Sequence, residues 1–103
     1  MDINFELYKI FYTVAKLESF SAAANELYVS QSAVSQYIKS LETQIGSPLF
    51  IRGAKRARLT ALGEMLYKYI EQSYSLIKTA ENKIMEMQHL ELGEIKLGVG
   101  DTI

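Results

Sequence analysis

The chain has 103 residues, of which 49% are hydrophobic and 22% are charged, a composition ordinary for one globular domain or one domain plus a fragment. No apolar run approaches the roughly 18 residues of a membrane-spanning helix, and the N-terminus lacks a signal-peptide pattern, so we expect a cytoplasmic protein without membrane contact. The lack of cysteine excludes disulfides and thiolate chemistry.

The distribution of charge is more informative than the net charge of −1. Residues 1–60 contain seven Lys or Arg and five Asp or Glu, whereas residues 61–103 contain four and seven. Four of the seven basic residues in the first part lie within Arg52–Arg58. Such a cluster favours a nucleic-acid partner, although short basic runs are also common on ordinary surfaces.

The first predicted element is a helix over residues 4–17. Asn4 is a suitable N-cap, and Glu6 is favourable in the first turn. The apolar stripe at helical spacing consists of Leu7, Phe11, Val14 and Ala15. We expect this helix to be a scaffold for the core, with Tyr8 and Tyr12 either beside the stripe or at a contact between subunits.

Two further helices, joined by a tight turn, are predicted next. Ser21 is the expected N-cap of a short helix over residues 22–28. Ser30 is the expected N-cap of the following helix, which begins at Gln31, and Gly46 fits the left-handed residue that commonly ends a helix. The apolar face of this third helix consists of Val34, Ile38, Leu41 and Ile45.

The opposite face of the third helix carries short polar side chains, namely Ser32, Ser35, Gln36 and Lys39. Ser and Gln are neutral and both donate and accept hydrogen bonds, which suits close contact with base-pair edges in a major groove. Gln31 in the first turn has the geometry to bond an adenine edge, the alternative being an ordinary surface glutamine. Ser30 can cap the helix and contact a phosphate at once, whereas Lys39 either contacts phosphate or is solvated.

A small β-hairpin is predicted after the third helix. Its flanks, residues 49–51 and 58–59, enclose a loop with one glycine and three basic residues. A basic hairpin that follows a helix-turn-helix is a wing. We expect Arg52 to be its main DNA contact, and Lys55, Arg56 and Arg58 each either to contact DNA or to be solvated.

Thr60 is expected to open the longest helix, over residues 61–91. Its apolar or small residues recur at spacings of three and four, close to the heptad seam of a coiled coil. We expect this seam to pair with a second chain, because a head of this size cannot bury it. The predicted dimer interface consists of Leu62, Leu66, Tyr69, Ser73, Leu76, Ala80, Ile84 and Met87.

The end of the chain changes period. Ile95, Leu97 and Val99 alternate with polar residues or glycine, which is typical of a strand. A single strand cannot stand alone. We therefore interpret residues 92–103 as the first strand of a truncated further domain.

These residues resemble the LysR-type transcriptional regulators. The gap lengths agree throughout, from the first helix to the start of the long one. The matching positions are Phe11, Val14, Ala15, Ser19, Phe20, Ala23, Ala24, Leu27, Ser30, Gln31, Ala33, Ser35, Ile38, Leu41, Glu42, Gly46, Leu49, Phe50, Arg52, Leu59, Thr60 and Gly63.

The resemblance implies a mainly α fold: a winged helix-turn-helix with a three-helix head and a small β-hairpin wing over residues 1–60, followed by a dimerising linker helix over residues 61–91. It implies sequence-specific binding of a homodimer to inverted repeats in double-stranded DNA near promoters. It also implies a tetramer for the full-length chain and control by a small-molecule inducer in the missing domain. The positions matching Gln31, Ser32, Ser35 and Gln36 meet bases and phosphates in the family, and the position matching Arg52 reaches the backbone or minor groove. Ser32, Gln36 and Lys55 differ from the residues usual there.

Two matching residues are expected to be structural. Glu42 lies near the C-terminus of the third helix, away from its exposed first turn, which favours a structural hydrogen bond or ion pair over base recognition. Gly63, one turn into the long helix, is expected to permit close packing against the wing or the first helix.

Other functions have little support in the sequence. We find no Ser-His-Asp arrangement, phosphate-binding glycine loop or spaced carboxylate pair, so we expect no catalytic residues and no cofactor. His89 is the single histidine and lacks neighbouring ligands for a metal. The remaining alternatives are another winged-helix regulator, such as the molybdate-responsive type, and a protein-interaction module that uses the long helix as a coiled coil.

Overall fold

A computed structural model describes the backbone of residues 1–99 and the side chains of residues 1–90. Four helices follow one another along these residues: α1 Phe5–Leu17, α2 Phe20–Leu27, α3 Gln31–Ile45 and α4 Ala61–Val99. The chain divides into two units, the first covering Met1–Glu71 and the second beginning at Gln72. The mainly α architecture that the sequence predicts is therefore confirmed.

The boundaries of α1 follow from its caps. The Oδ1 atom of Asn4 accepts a hydrogen bond of 2.8 Å from the backbone N–H of Glu6, as predicted. The helix ends where Glu18 adopts the left-handed conformation, with φ of 56°. This conformation is unfavourable for residues with a Cβ atom, so the chain turns sharply at Glu18 at an energetic cost.

The prediction that Ser21 caps α2 is wrong, because Ser19 is the cap. Ser19 has an extended backbone, and its Oγ atom accepts from the backbone N–H of Ala22 at 3.0 Å. Ser21 already lies in the first helical turn, with its hydroxyl 3.2 Å from that of Ser19. Both serines have good cap chemistry, and the backbone conformation of Ser19 decides between them.

The start and end of α3 are as predicted. The Oγ atom of Ser30 accepts from the backbone N–H of Ala33 at 3.1 Å. At the other end, Gly46 has φ of 91° and donates its backbone N–H to the carbonyl of Glu42 at 2.8 Å. Glycine fits this conformation without a steric penalty.

Helices α1, α2 and α3 pack on one another around a single apolar core. Phe50, which follows α3, inserts its ring into this core, with centroid distances of 5.5 Å to Phe11 and 5.4 Å to Phe20. The largest fully buried side chains are Phe11, Val14, Val34, Leu41 and Leu49. The segment after α3 is thus fixed to the head, which we define as residues 1–60.

The predicted β-hairpin is reduced to a single antiparallel bridge between Phe50 and Leu59. On either side of it, Ile51 donates to the carbonyl of Arg58 at 2.8 Å and Thr60 donates to that of Leu49 at 2.9 Å. The flanks are too short for regular strands, so residues 51–58 form a loop closed by this bridge. We call these residues the wing loop.

Helix α4 begins against the base of the wing loop. The Oγ1 atom of Thr60 accepts from the backbone N–H of Gly63 at 3.0 Å and donates to the carbonyl of Pro48 at 2.9 Å. A Cβ atom on Gly63 would fall well inside van der Waals distance of the carbonyl oxygen of Leu49. Gly63 therefore permits close packing against the base of the wing, as the sequence predicts.

The predicted end of α4 near residue 91 and the strand after it are wrong, because α4 continues as a helix through Val99. An alternating pattern specifies a strand only where a neighbouring strand pairs with it, and the described residues contain no second strand there. A helix satisfies its backbone hydrogen bonds within one segment. Residues 100–103 lie outside the described part, and a further domain beginning at residue 92 stays a prediction.

Candidate nucleic-acid interface

A surface groove of about 430 Å³ lies between α3, the wing loop and the turn that joins α1 to α2. We call it the α3–wing groove. Six of the ten predicted DNA contacts line it, three from each of two elements. These six are Gln31, Ser35, Lys39, Arg52, Lys55 and Arg56. The fold thus brings a polar helix face and a basic loop to one surface, although they lie far apart in sequence.

The polar face of α3 is exposed because the opposite face is buried. Val34 and Leu41 have no exposed surface and Ile38 has 3%, which fixes the rotation of the helix. A second concave surface beside the groove continues the polar face. Its lining residues are Ser32, Ser35, Gln36, Lys39, Ser40, Thr43 and Gln44. The five predicted contacts on α3 therefore form one continuous exposed surface.

Two predicted contacts line neither concave surface. Ser30 is exposed, but its hydroxyl oxygen already accepts the capping hydrogen bond from Ala33. Arg58 is exposed beyond the groove, with its carbonyl paired to Ile51 at the base of the wing loop. The geometry gives these two residues less support as DNA contacts than the other eight.

The basic residues of the wing loop differ in their surroundings. Arg56 forms an ion pair in which its Nη1 atom lies 3.0 Å from the Oε1 atom of Glu18. Among the described residues, Arg52 and Lys55 form no ion pair, and both are exposed. Arg52 and Lys55 therefore present uncompensated positive charge to the groove.

Glu42 has the structural role that its position predicts. Its Oε2 atom accepts from the backbone N–H groups of Leu49, at 2.7 Å, and of Phe50, at 3.2 Å. One carboxylate thereby satisfies two backbone donors just before the wing loop. These two hydrogen bonds fix the base of the wing loop to α3.

The sequence analysis did not predict that the α1–α2 turn forms one wall of the α3–wing groove. Glu18, Ser19, Phe20 and Ser21 line it from the α1–α2 turn. Glu18 also accepts at its carbonyl from the backbone N–H of Ala57, at 3.2 Å. The ion pair of Glu18 with Arg56 joins residues 38 positions apart, which no local pattern reveals. The sequence offered one indication of this contact, namely a carboxylate near the end of the first helix in a chain whose residues 52–58 carry several positive charges and no negative one.

The predicted dimer seam on α4 divides into two parts. Leu62 and Leu66 are half-buried and pack against the core of their own chain. The larger side chains further along are exposed, with Leu76 at 70%, Ile84 at 53% and Met87 at 69%. None of the helices in the described part of the chain is long and apolar enough to cross a membrane.

A head of three helices with a polar-faced α3 and an adjoining basic loop defines a helix-turn-helix protein of the DNA-binding class. A profile of the bacterial regulatory helix-turn-helix proteins of the lysR family matches residues 5–64. A probable RuBisCO transcriptional regulator from Emiliania huxleyi is 38% identical over 94 residues, covering 91% of this chain and 30% of that protein.

Two solved structures share the fold of this chain. The CbnR DNA-binding domain in a DNA complex is 26% identical, with a TM-score of 0.69 over 84% of this chain and 99% of that one. The BenM DNA-binding domain in complex with catB site 1 DNA, at 24% identity, shares the fold, with a TM-score of 0.75 over 84% of this chain and 96% of that one.

This chain belongs to the lysR family of bacterial helix-turn-helix regulators. It contains the family's DNA-binding domain and the helix that follows. It spans about 30% of the length of the curated relative described above.

Proposed function

We propose that this chain binds double-stranded DNA sequence-specifically and is the DNA-binding and dimerising part of a LysR-type transcriptional regulator. The observation that carries this proposal is the common surface formed by Gln31, Ser35 and Lys39 of α3 and Arg52 and Lys55 of the wing loop. One duplex can contact both elements together. The DNA complexes of the CbnR and BenM domains, which share this fold, support the proposal.

In this proposal α3 enters the major groove with its N-terminal turn foremost. The single side-chain amide of Gln31 suits an adenine edge, because its oxygen can accept from the N6 amino group while its NH2 donates to N7. Ser32, Ser35 and Gln36 hydrogen-bond to bases or phosphates. Lys39 and the wing loop contact the flanking backbone. The exposed N–H groups at the start of α3 add a favourable site for a phosphate beside Ser30.

We infer that two chains pair through α4. Leu76, Ile84 and Met87 lie on one side of the helix at spacings of eight and three residues, and all are more than half exposed. A large exposed apolar stripe favours association. A two-fold symmetric dimer reads an inverted repeat, with half-sites one helical turn or a multiple of it apart.

The proposal also covers what the rest of a longer protein does. A small-molecule effector bound by a further C-terminal domain would change the relation between the two heads, and the full-length protein would form a tetramer. The family consists of regulators, so we infer a non-enzymatic, cytoplasmic protein that works on promoter DNA. The competing function is a coiled-coil interaction module that never binds DNA.

The experiment is selection of bound sequences from a random DNA pool, followed by a mobility-shift titration of the selected duplex and a scrambled one at two salt concentrations. We expect the selected duplex to carry an inverted repeat and to bind more tightly than the scrambled duplex. Binding should weaken steeply with salt, because contacts to phosphates release counterions. No enrichment together with weak, salt-independent binding would favour the interaction module.

A further inference from the structure

Glu18 connects the α1–α2 turn to two consecutive residues of the wing loop. Its carboxylate pairs with the guanidinium of Arg56 at 3.0 Å, and its carbonyl accepts from the backbone N–H of Ala57 at 3.2 Å. The carbonyl contact fixes the backbone of the loop whatever side chain stands at position 18. The carboxylate therefore has a separate effect, which is to hold and neutralise one arginine.

This ion pair lies on the surface assigned to DNA. Glu18 and Arg56 both line the α3–wing groove, together with Gln31 and Arg52. A carboxylate on this surface opposes the approach of a phosphate. A DNA duplex that is attracted by Arg52 and Lys55 therefore also comes close to the negative charge of Glu18.

A phosphate can replace the carboxylate of Glu18 as the partner of Arg56. The side chains of Arg56 and Glu18 are 77% and 55% exposed, so a phosphate can reach the guanidinium without displacing other groups. Ion pairs at such exposure contribute little to stability, which makes the carboxylate an easily replaced partner. An arginine in this position can leave Glu18 and form a charge-assisted hydrogen bond to a phosphate.

The backbone gives no reason for a glutamate here. Glu18 has φ of 56°, a conformation that glycine adopts without the penalty that a Cβ atom brings. Glycine would also keep the carbonyl that Ala57 contacts. The side chain thus stands at a position where the local backbone conformation disfavours a Cβ atom.

We propose that Glu18 is a positioning residue that competes with DNA phosphates for Arg56. In the free protein it holds the guanidinium beside the groove. On binding, Arg56 exchanges the carboxylate for a phosphate, and the cost of this exchange lowers affinity for every duplex. This inference rests on the proposed DNA-binding function.

The test compares the chain with its Glu18→Gln and Glu18→Gly variants on the selected and the scrambled duplex over a series of salt concentrations. We expect both variants to bind roughly fivefold more tightly at low salt, the scale of one exposed ion pair. The dependence of log affinity on log salt should steepen by less than the roughly 0.9 of a full phosphate contact, because Arg56 meets a phosphate in both chains and only the salt-screened ion pair is lost. The ratio between the two duplexes should stay the same, since base contacts are unchanged.

Two controls separate exchange from other effects. Glu26→Gln removes an exposed carboxylate on α2 that does not line the groove, and it should leave both measurements unchanged. In an Arg56→Gln background, Glu18→Gln should change affinity less than twofold. An equal gain in both backgrounds would mean long-range charge and would overturn the exchange.

Weaker binding by both Glu18 variants, with wild-type thermal stability, would also overturn it, because the carboxylate would then promote binding. A flat salt dependence of the unmodified chain would instead count against DNA binding itself. If both variants bound DNA with the affinity of the unmodified chain, and that chain showed a steep salt dependence, only the proposed role of Glu18 would be contradicted.

Discussion

Gly63 of α4 lies directly against the carbonyl oxygen of Leu49, at the base of the wing loop. A Cβ atom there would clash with this backbone atom and would also lie 3.0 Å from the Cδ2 atom of Leu59. Since the backbone at Leu49 is held by Glu42 and Thr60, it cannot readily move away. The contact determines how closely the start of α4 approaches the head.

We expect Gly63→Ala to lower the free energy of unfolding by about 1–3 kcal/mol, the usual cost of overpacking, despite the higher helix propensity of alanine. Urea unfolding followed by circular dichroism measures this. Ser75→Ala, an exposed change on the same helix, is the matched control and should have little effect. A stabilised Gly63→Ala variant would mean that α4 and Leu49 are further apart than described.

Gln31→Ala tests base recognition by α3. Loss of a bidentate contact should weaken binding to the selected duplex by about 1–3 kcal/mol and leave binding to scrambled DNA almost unchanged. Fluorescence anisotropy on both duplexes measures the difference. Gln72→Ala, an exposed glutamine on α4 that lines neither concave surface, serves as the control. Equal losses on both duplexes would assign Gln31 to the backbone instead.

Arg52→Gln tests the wing loop as a contact to phosphate. Because Arg52 is exposed and forms no ion pair among the described residues, its loss should reduce the salt slope by about 0.9 on selected and scrambled DNA alike. Lys68→Gln removes one exposed positive charge from α4 and should change the slope much less. If the two variants gave the same slope, Arg52 would lie off the interface.

Leu76→Lys together with Ile84→Lys tests association through α4. Charge on an apolar seam opposes pairing, so sedimentation should reveal a monomer where the unmodified chain forms a dimer. Binding to an inverted repeat should weaken towards the affinity of a single half-site. Lys78→Glu, an exposed change between the two positions, should leave the dimer intact. A dimer that survives the double substitution would place the contact elsewhere.

Tyr67 predicts a pH dependence of stability. Burial, then the nearby Glu71 and Tyr12, raise the pKa of its phenol in the folded chain. Its ring also stacks on Tyr12, with centroids 5.1 Å apart. A raised pKa favours the protonated form in the native state, so this contribution to stability is complete below about pH 10 and is lost as the pH rises through the folded value.

We therefore expect the free energy of unfolding to fall above about pH 10, and to fall less in Tyr67→Phe, which cannot ionise. Urea titrations between pH 8 and 11 give the comparison. Tyr28→Phe is the control because the side chain of Tyr28 is 93% exposed. Parallel pH curves for Tyr67→Phe and the unmodified chain would contradict the assigned shift.

Local chemistry made much of the head predictable. The caps at Asn4, Ser30 and Gly46 depend only on neighbouring residues, and the buried face of α3 follows from its period. The sequence could not decide between Ser19 and Ser21, since both have the chemistry of a cap and only the backbone differs. The ion pair between Glu18 and Arg56 was not predictable because it depends on how distant segments pack.

The strand predictions for the end of the chain and for the wing are wrong for a related reason. Short alternating or apolar segments predict strands at both places, but strand formation depends on partners that a local pattern does not contain. At residues 95–99 the described backbone is helical. At the wing, Phe50 and Leu59 do meet, but the pairing extends no further than one bridge.

The ring of Phe50 lies among Phe11 and Phe20, while the residues that follow it extend into solvent. The base of the wing loop therefore unfolds together with the head, whereas residues 53–55 at its tip are exposed. If the chain binds DNA as proposed, we expect changes in the length and charge of that tip to alter the affinity for a duplex without altering the sequence that α3 recognises.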